Sequence, residues 1–561
     1  MPGMPTLQPA TLDLARAHTA HLDTFTRDSL PAPEALPEFV FDRPELQFED
    51  HLNCATELLD KAVARGQGGR LCVQGLVLQK AVCWTYADLQ AQANRIANLL
   101  VHDMGLLPGN RVLLRGSNSP MLAACFMAIF KCGGVAVGSM PLLRAGELSA
   151  IINKAQITHA LCDVALSQEL ALALPGSPSL KQVLHYGGEL EACAARQSPD
   201  FDNVDTGALD TCVIAFTSGT TGVPKGTMHF NRDLLAACRC WPPHVLRAHA
   251  DDVFIGSPPL AFTFGLGGLL LFPMSIGAST VLIEKASPDA LLQAIAQHRA
   301  SVCFTAPTSY RAMALQLQAT DVLHGQAKPD LSSLRKCVSA GEALPAATRQ
   351  LWKASTGIEI IDGIGSTEML HIFISADESN AKPGATGLPV PGYQAVLLGE
   401  DGLPVPQGQV GRLAVKGPTG CKYLADARQA SYVQGGWNLT GDAYLQDADG
   451  HYVYQARTDD MIISGGYNIA GPEVEGALLL HPAVAECGVV GQMDEARGMI
   501  VKAFVVLKPG HAAGAEMAKA LQDFVKQTIA PYKYPRDITF RDSLPRTETG
   551  KLQRFRLKSG P

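Results

Sequence analysis

From Thr85 onward the chain alternates helix-period and strand-period segments, and this alternation constrains the fold more than any other feature of its 561 residues. Thr85-Tyr-Ala-Asp88 has the form of a capping box, and Leu89, Ala93, Ile96 and Leu100 follow at spacings of four, three and four on one helical face before Gly105. Arg111-Val-Leu-Leu-Arg115 then reads as a strand, residues 121–131 as a helix and Gly134-Val-Ala-Val-Gly138 as a strand. The pattern returns at Thr280-Val-Leu-Ile283, a helix beginning near Pro288, Val302-Cys-Phe304 and Glu359-Ile-Ile361. A chain of this texture is expected to form an α/β fold, with parallel sheets covered by helices.

After Gly384 the texture changes. Val396-Leu-Leu leads to a turn at Asp401-Gly402, Arg412-Leu-Ala-Val415 follows, and Ala443-Tyr-Leu turns near Asp449-Gly450 before Tyr452-Val-Tyr454. Hairpins at this spacing predict an antiparallel or barrel-like section over residues 385–457. Asp447-Ala-Asp449-Gly450 starts like a calcium loop, but the bidentate Glu such a loop needs is missing, so it reads as a hairpin turn. From Asp459 a small α+β unit begins, with Pro472 opening a helix, strands over 484–490 and 500–507, and a helix over 514–529. These shifts predict an N-terminal unit of residues 1–457 and a C-terminal unit of residues 458–561.

An apolar content of 47% is enough for several cores, which fits roughly two to four folding units. The formal charge of −7 and the lack of a basic stripe argue against a nucleic-acid partner. Fourteen cysteines are scattered without a Cys-x-x-Cys pair and read as free thiols in a reducing compartment. The first residues lack a basic segment followed by an apolar core, so the expected location is the cytoplasm. Residues 257–283 carry no charged side chain, but Pro258, Pro259, Pro273 and four glycines argue for buried elements rather than a membrane span.

Residues 217–226 read Thr-Ser-Gly-Thr-Thr-Gly-Val-Pro-Lys-Gly: four hydroxyls, three glycines and a lysine in ten positions. Bare N–H groups, hydroxyl donors and a cation directed at one polyanion hold phosphates. A nucleotide triphosphate is therefore expected at Thr217, Ser218, Gly219, Thr220, Thr221, Gly222 and Lys225. The strand-like Thr211-Cys-Val-Ile-Ala-Phe216 before the loop, and a helix-like run from near Asn231 after it, place it where a strand hands over to a helix. No Gly-Lys-Ser/Thr triplet occurs, which excludes a Walker loop, while a polar surface linker has a similar composition.

A second cluster, Asp362-Gly-Ile-Gly-Ser-Thr-Glu368, follows the strand ending at Ile361. Ligands sit beyond the carboxyl ends of parallel strands, which makes Glu368 a candidate for Mg²⁺ and Thr367 for a phosphate oxygen. By itself the segment equally suits a helix cap made by Ser366 or Thr367. Thr440-Gly-Asp442, with Arg457 fifteen residues later, offers a carboxylate for ribose hydroxyls and a guanidinium for hydroxyl or phosphate, though either alone also fits a surface charge. Pro545-Arg-Thr-Glu-Thr-Gly-Lys551 carries a lysine on a tail segment, where a solvated charge is ordinary.

Taken together, and in this order, the four stretches resemble the adenylate-forming superfamily of acyl-CoA synthetases, stand-alone adenylation domains and firefly-type luciferases, over nearly the whole chain. The resemblance implies a large N-terminal domain of two α/β layers plus a small β-barrel, and a mobile α+β C-terminal lid that swings about Asp459. It implies that the loop at 217–226 holds the β- and γ-phosphates, Asp362 the adenine edge, Thr367 and Glu368 phosphate and Mg²⁺, and Asp442 and Arg457 the ribose. Gly341, Glu342, Gly363 and Ile364 complete the implied nucleotide site; Lys551 contacts the carboxylate and α-phosphate. Ser464, Gly465, Gly466 and Tyr467 face the pantetheine arm of coenzyme A, where the two glycines also suit a simple turn. Lys551, Glu368 and Thr367 are then the catalytic group, and ATP, Mg²⁺ and coenzyme A the cofactor and co-substrates; the sequence leaves the oligomeric state open, a homodimer included.

Within that resemblance the acid pocket falls at Phe262, Thr263, Phe264, His371 and Ile372. No aspartate occurs over 261–268 to pair with an α-ammonium, which argues against amino acids. Gly363-Ile-Gly-Ser-Thr-Glu-Met-Leu-His-Ile-Phe373 resembles benzoate-CoA and 2-aminobenzoate-CoA ligases, and the runs from Ala20 to Asp28 and from Trp437 to Asp442 lean toward the 2-aminobenzoate branch. Phe262 and Phe264 suit stacking on an aryl ring, and Thr263 or His371 suits an ortho amine, although both also fit plain packing roles. Three positions depart from the family pattern: Ile364 in place of an aromatic, Ala456 in place of glycine and Ile463 in place of lysine. The rival readings are an enzyme loading a carrier protein in trans, a medium-chain acyl-CoA synthetase, and a catalytically silent adenylate sensor; the last predicts loss of Lys551 or Glu368, and both are present.

Overall fold

The computed structural model describes residues 16–217, 224–319, 328–458, 460–464, 467–494, 498–529, 531–546 and 552–558. Two α/β sheets form the larger part. In the first, strands Gln182–Tyr186, His159–Asp163, Arg111–Arg115, Val135–Ser139 and Thr211–Thr217 lie side by side in parallel, and Lys225–Phe230 is added antiparallel at the edge. The second has nine strands, with a parallel centre from Ile360–Gly365 through Lys336–Ser339, Val302–Thr305, Val253–Gly256 and Ser279–Val281 to Leu71–Val77. Antiparallel strands close both of its ends.

Local chemistry accounts for these elements. Thr85 caps helix Tyr86–Asn98 through the predicted box with Asp88, and Leu89, Ala93, Ile96 and Leu100 are fully buried. Helix Pro120–Lys131 starts with a proline in its first turn, after Ser119 accepts from the Leu122 N–H. The uncharged stretch forms strand ends and short helical turns between Thr263 and Ser275, and among the described residues no helix is long and apolar enough to cross a membrane. All fourteen cysteines are free thiols.

The hairpin section is a five-stranded antiparallel sheet in which Gln394–Leu398, Val410–Lys416, Trp437–Gln446 and Val433–Gln434 lie in order and Tyr452–Arg457 pairs with Trp437–Gln446. Asp447 accepts from the N–H groups of Asp449 and His451, so the would-be calcium loop is a turn. The C-terminal portion has its own sheet, with Val484–Asp494 and Gly498–Leu507 as a long hairpin, and helices Gly471–Leu479 and Ala515–Thr528.

One sequence expectation is corrected. The segment 217–226 does not join a strand to a helix; it connects Thr211–Thr217 to the antiparallel strand Lys225–Phe230, and helix Asn231–Trp241 begins only after that strand. Lys-Gly-Thr-Met-His-Phe has no clean period, so its strand character comes from pairing on both sides. Thr227 bridges Tyr423, the Met228 N–H donates to the Lys422 carbonyl, and the Leu424 N–H donates to the Gly226 carbonyl.

The same junction holds a fully buried ion pair, Lys422 Nζ to Asp233 Oδ2 at 2.8 Å. Asp233 also accepts from the Phe230 N–H, and Lys422 lies over the Phe230 ring. Removing one partner strands the other charge in the core, which costs about 3–5 kcal/mol. Lys422→Met is expected to lower unfolding stability by about that amount in denaturant titrations, and adding Asp233→Leu should recover part of it; a neutral single variant contradicts this account.

Candidate active site

The hairpin from Ile360–Gly365 to Ile372–Ser375 carries seven of the predicted site residues, Asp362, Gly363, Ile364, Thr367, Glu368, His371 and Ile372. Its strands pair antiparallel, Gly363 against Ser375 and Gly365 against Ile372, so Asp362, Thr367, Glu368, His371 and Ile372 occupy successive stations on one element. The connection is a turn rather than a helix start: Ser366 Oγ accepts from the Met369 N–H, and Leu370 sits at φ 70. His229, fully buried, donates from Nε2 to the Thr367 carbonyl at 2.9 Å and fixes this turn to the neighbouring sheet. Burial, reinforced by the Lys422 charge, pushes the His229 imidazole down to about 3, so the ring is neutral.

Lys225 and Glu368 meet across Tyr423. The Tyr423 hydroxyl donates to Glu368 Oε1 at 2.5 Å and accepts from Lys225 Nζ at 3.1 Å, while lysine and carboxylate stand 3.8 Å apart. Burial and the Glu368 charge push the Tyr423 phenol far above its usual range, so it stays protonated. Glu368 is 7% exposed, and among the described residues no cage of three His, Cys, Asp or Glu ligands surrounds it. One carboxylate beside hydroxyls and a lysine fits Mg²⁺, which takes one or two carboxylates and fills its remaining positions with water and phosphate oxygens.

Two tyrosines link this point to the other carboxylates. Tyr432 feels both Glu368 and Asp442, and Tyr444 feels both Asp442 and Asp362, so the three acids line one region. Asp442 and Arg457 face each other across adjacent strands and pair at 3.1 Å, with Arg457 also donating to the Thr440 carbonyl. Gly441 permits that approach: its φ is 77, and a Cβ there would lie 2.7 Å from an Arg457 nitrogen. Burial pushes Asp362 up to about 7, partly opposed by Arg349, and its Oδ1 has no hydrogen-bond partner. Such an oxygen fits a base edge that donates hydrogens. Ile364, in place of an aromatic, is half-buried against the main core.

In the same turn, three residues after Glu368, His371 sits in an aromatic box, its ring 4.4 Å from Phe272, 5.6 Å from Phe264 and 5.9 Å from Trp241 between centroids. Gly267 makes room for it, since a Cβ there would lie 2.4 Å from His371 Cδ2. Neither ring nitrogen makes a hydrogen bond of ordinary geometry. Burial pushes the imidazole down to about 3, only partly opposed by the Phe264 backbone, so the ring is neutral. Thr263 is buried; Phe262 and Phe264 are half-buried.

Of the remaining predicted residues, Thr217 ends its strand with Oγ1 buried and unpartnered, Gly341 sits at φ 93 just after strand Lys336–Ser339, and Glu342 is half-buried beside it. Ser464, with a buried unpartnered Oγ, pairs with Tyr467 across two short strands. Ser218, Gly219, Thr220, Thr221, Gly222, Asp459, Gly465, Gly466 and Lys551 lie outside the described residues. Sequence reasoning missed Tyr423 and His229; Tyr423 is 198 positions from its partner Lys225, and nothing local in the sequence signals that contact.

His371 sets a pH dependence of stability. Unfolded, the imidazole titrates near 6.5, and folded near 3, so the unfolded chain binds the extra proton between these values. Its stabilising contribution is full above 6.5 and is lost as pH falls, by up to about 1.4 kcal/mol per pH unit. His371→Leu is expected to lose less stability than the native chain between about pH 6.5 and about pH 5; identical slopes in pH-dependent melting contradict this.

The AMP-binding enzyme family matches residues 59–423, and the AMP-binding enzyme C-terminal domain matches residues 473–551. The chain is 35% identical over 529 residues to a benzoate–CoA ligase of Thauera aromatica, across 92% of this chain and 97% of that one. It is 32% identical over 511 residues to an anthranilate–CoA ligase of Pseudomonas aeruginosa, across 86% and 92%. A solved structure of the anthranilate CoA ligase AuaEII in complex with anthranoyl-AMP superposes with a TM-score of 0.86 at 33% identity, covering 92% of this chain and 98% of that one. The chain belongs to the AMP-binding enzyme family and is an acid–thiol ligase.

Proposed function

We propose that the chain is an ATP-dependent aryl carboxylate:CoA ligase, with 2-aminobenzoate as the preferred acid and benzoate as the close alternative. The observation that carries this reading is the neutral His371 enclosed by Phe264, Phe272 and Trp241, in the same turn as Glu368. Aromatic rings around one neutral imidazole suit contact with an aryl ring, and a neutral imidazole nitrogen offers an acceptor to an ortho amine. Relatives named for benzoate and anthranilate support the same acid class.

The chemistry follows from the poor leaving group of a carboxylate. A carboxylate oxygen attacks the α-phosphorus of ATP, the bond to the β-phosphate oxygen breaks and pyrophosphate leaves, giving an acyl-adenylate. A thiolate then attacks the acyl carbon and AMP leaves. The first step brings anions together, so its residues act by positioning and charge. Lys225 and the loop hydroxyls hold the β- and γ-phosphates, with Thr367 beside them. Mg²⁺ held by Glu368 would supply further neutralisation of the departing pyrophosphate. Asp362 takes the adenine edge beside Gly363 and Ile364, with Gly341 and Glu342 lining the same side, and Asp442 and Arg457 exchange part of their mutual pairing for the ribose. Lys551 bridges the carboxylate and α-phosphate. Residues 458–561 act as a lid about Asp459, and its rotation brings Ser464, Gly465, Gly466 and Tyr467 to the thiol of coenzyme A.

Incubated with ATP, Mg²⁺ and coenzyme A, the chain is expected to form AMP and a thioester with 2-aminobenzoate or benzoate. AMP from a medium-chain fatty acid but from no benzoate, hydroxybenzoate or cinnamate overturns the aryl assignment. A carrier protein that outcompetes coenzyme A for the acyl-adenylate would replace the thiol assignment. Lys551→Ala is expected to reduce adenylation by at least about a hundredfold while sparing thioester formation from preformed acyl-adenylate; equal loss of both steps contradicts the lid.

A further inference from the structure

Tyr423 occupies the only place from which one hydroxyl, among the described residues, touches both Lys225 and Glu368. Its backbone is fixed from both sides. It bridges Thr227, its N–H donates to Gln429 Oε1 at 2.9 Å, and the flanking residues bond to strand Lys225–Phe230. The ring is 1% exposed and packs edge-on against Tyr432, with centroids 5.7 Å apart. Nothing in that setting allows the hydroxyl to turn away.

Lys225 and Glu368 are opposite charges 3.8 Å apart, with little water around the carboxylate. Left alone, such a pair closes into a direct salt bridge, and a closed pair presents little net charge to anything else. That would waste both groups, because the lysine has to meet phosphate and the carboxylate has to meet a cation. The phenol prevents closure. It satisfies one carboxylate oxygen as a donor and the ammonium as an acceptor, holding them at a distance where each keeps a direction open toward the nucleotide.

We propose that Tyr423 is a positioning residue that holds Lys225 and Glu368 apart as separate charges, ready for the triphosphate and its Mg²⁺. This rests on the reading of Lys225 and Glu368 given under Proposed function. The hydroxyl neither accepts nor donates a proton in the reaction and need not touch the reacting atoms. Its effect falls on binding of the metal–nucleotide complex and on adenylation, and leaves the thiol step alone.

The test is calorimetric binding of α,β-methylene-ATP, which cannot be cleaved between the α- and β-phosphates, in the presence of Mg²⁺. Tyr423→Phe keeps the ring and is expected to weaken binding about tenfold and to raise KM for ATP more than it lowers kcat, with thioester formation from preformed acyl-adenylate unchanged. In a Glu368→Gln background, where no ion pair can form, the same substitution is expected to change binding by less than about twofold. A native-like affinity for Tyr423→Phe, or an equal loss in both backgrounds, overturns the inference. If the phenylalanine variant fails to fold, 3-fluorotyrosine at position 423, which weakens the hydroxyl as an acceptor, is expected to weaken binding measurably, and unchanged binding overturns the inference. Glu368→Gln alone separates the two levels: if it binds Mg²⁺ and nucleotide as tightly as the native chain, the reading of the site fails; if it binds weakly while Tyr423→Phe does not, only this inference fails.

Discussion

The pairing of strand Lys225–Phe230 with residues 422–424 is the contact on which the rest of the site depends. Two backbone hydrogen bonds and one bridge make it, and the buried Lys422–Asp233 pair locks it. Through it the edge of the six-stranded sheet, which carries Lys225, meets the chain segment that carries Tyr423. Tyr423 and His229 in turn reach the Thr367–Glu368 turn at the end of the nine-stranded sheet. Parallel sheets place ligands beyond their carboxyl ends, and here two sheets direct such ends at one region, with the antiparallel sheet supplying Asp442 and Arg457.

Electrostatics within that region is arranged by burial as much as by pairing. Three carboxylates, Asp362, Glu368 and Asp442, line it with tyrosines between them, which donate or stay neutral instead of adding charge. Asp362 is pushed upward by its surroundings, while Asp442 is balanced by Arg457 on the next strand. Three residues after Glu368, His371 is neutral and enclosed by rings. One hairpin thus spans a charged station and an apolar one.

Much of this was legible in the sequence, for identifiable reasons. The capping box at Thr85 and the apolar period of Leu89, Ala93, Ile96 and Leu100 are local signals that appear in the structure as read, and the helix expected over 121–131 runs from Pro120 to Lys131. Asp362, Thr367 and Glu368 stand out in the sequence as a polar cluster beyond the apolar run ending at Ile361, although the strand itself continues through Asp362 to Gly365. The hairpin Leu71–Val77 to Lys80–Thr85 was not read, because its turn uses Leu78 and Gln79 at positive φ in place of the usual Asn or Gly. Strand Lys225–Phe230 carries no period of its own; it is a strand because it pairs with Thr211–Thr217 on one side and meets residues 422–424, nearly 200 positions away, on the other. Tyr423 escaped for the same reason: a tyrosine in a loop has no local mark of the two charges it separates.

In the proposed mechanism the scaffold joins an aryl carboxylate to AMP before any thiol takes part. Exchange of labelled pyrophosphate into ATP reports that first step, since it occurs only when the adenylate forms reversibly. With Mg²⁺ and 2-aminobenzoate or benzoate, and with no coenzyme A present, the chain is expected to catalyse exchange well above the acid-free rate. Exchange that needs coenzyme A, or that responds to medium-chain fatty acids and to no aryl acid, contradicts the account.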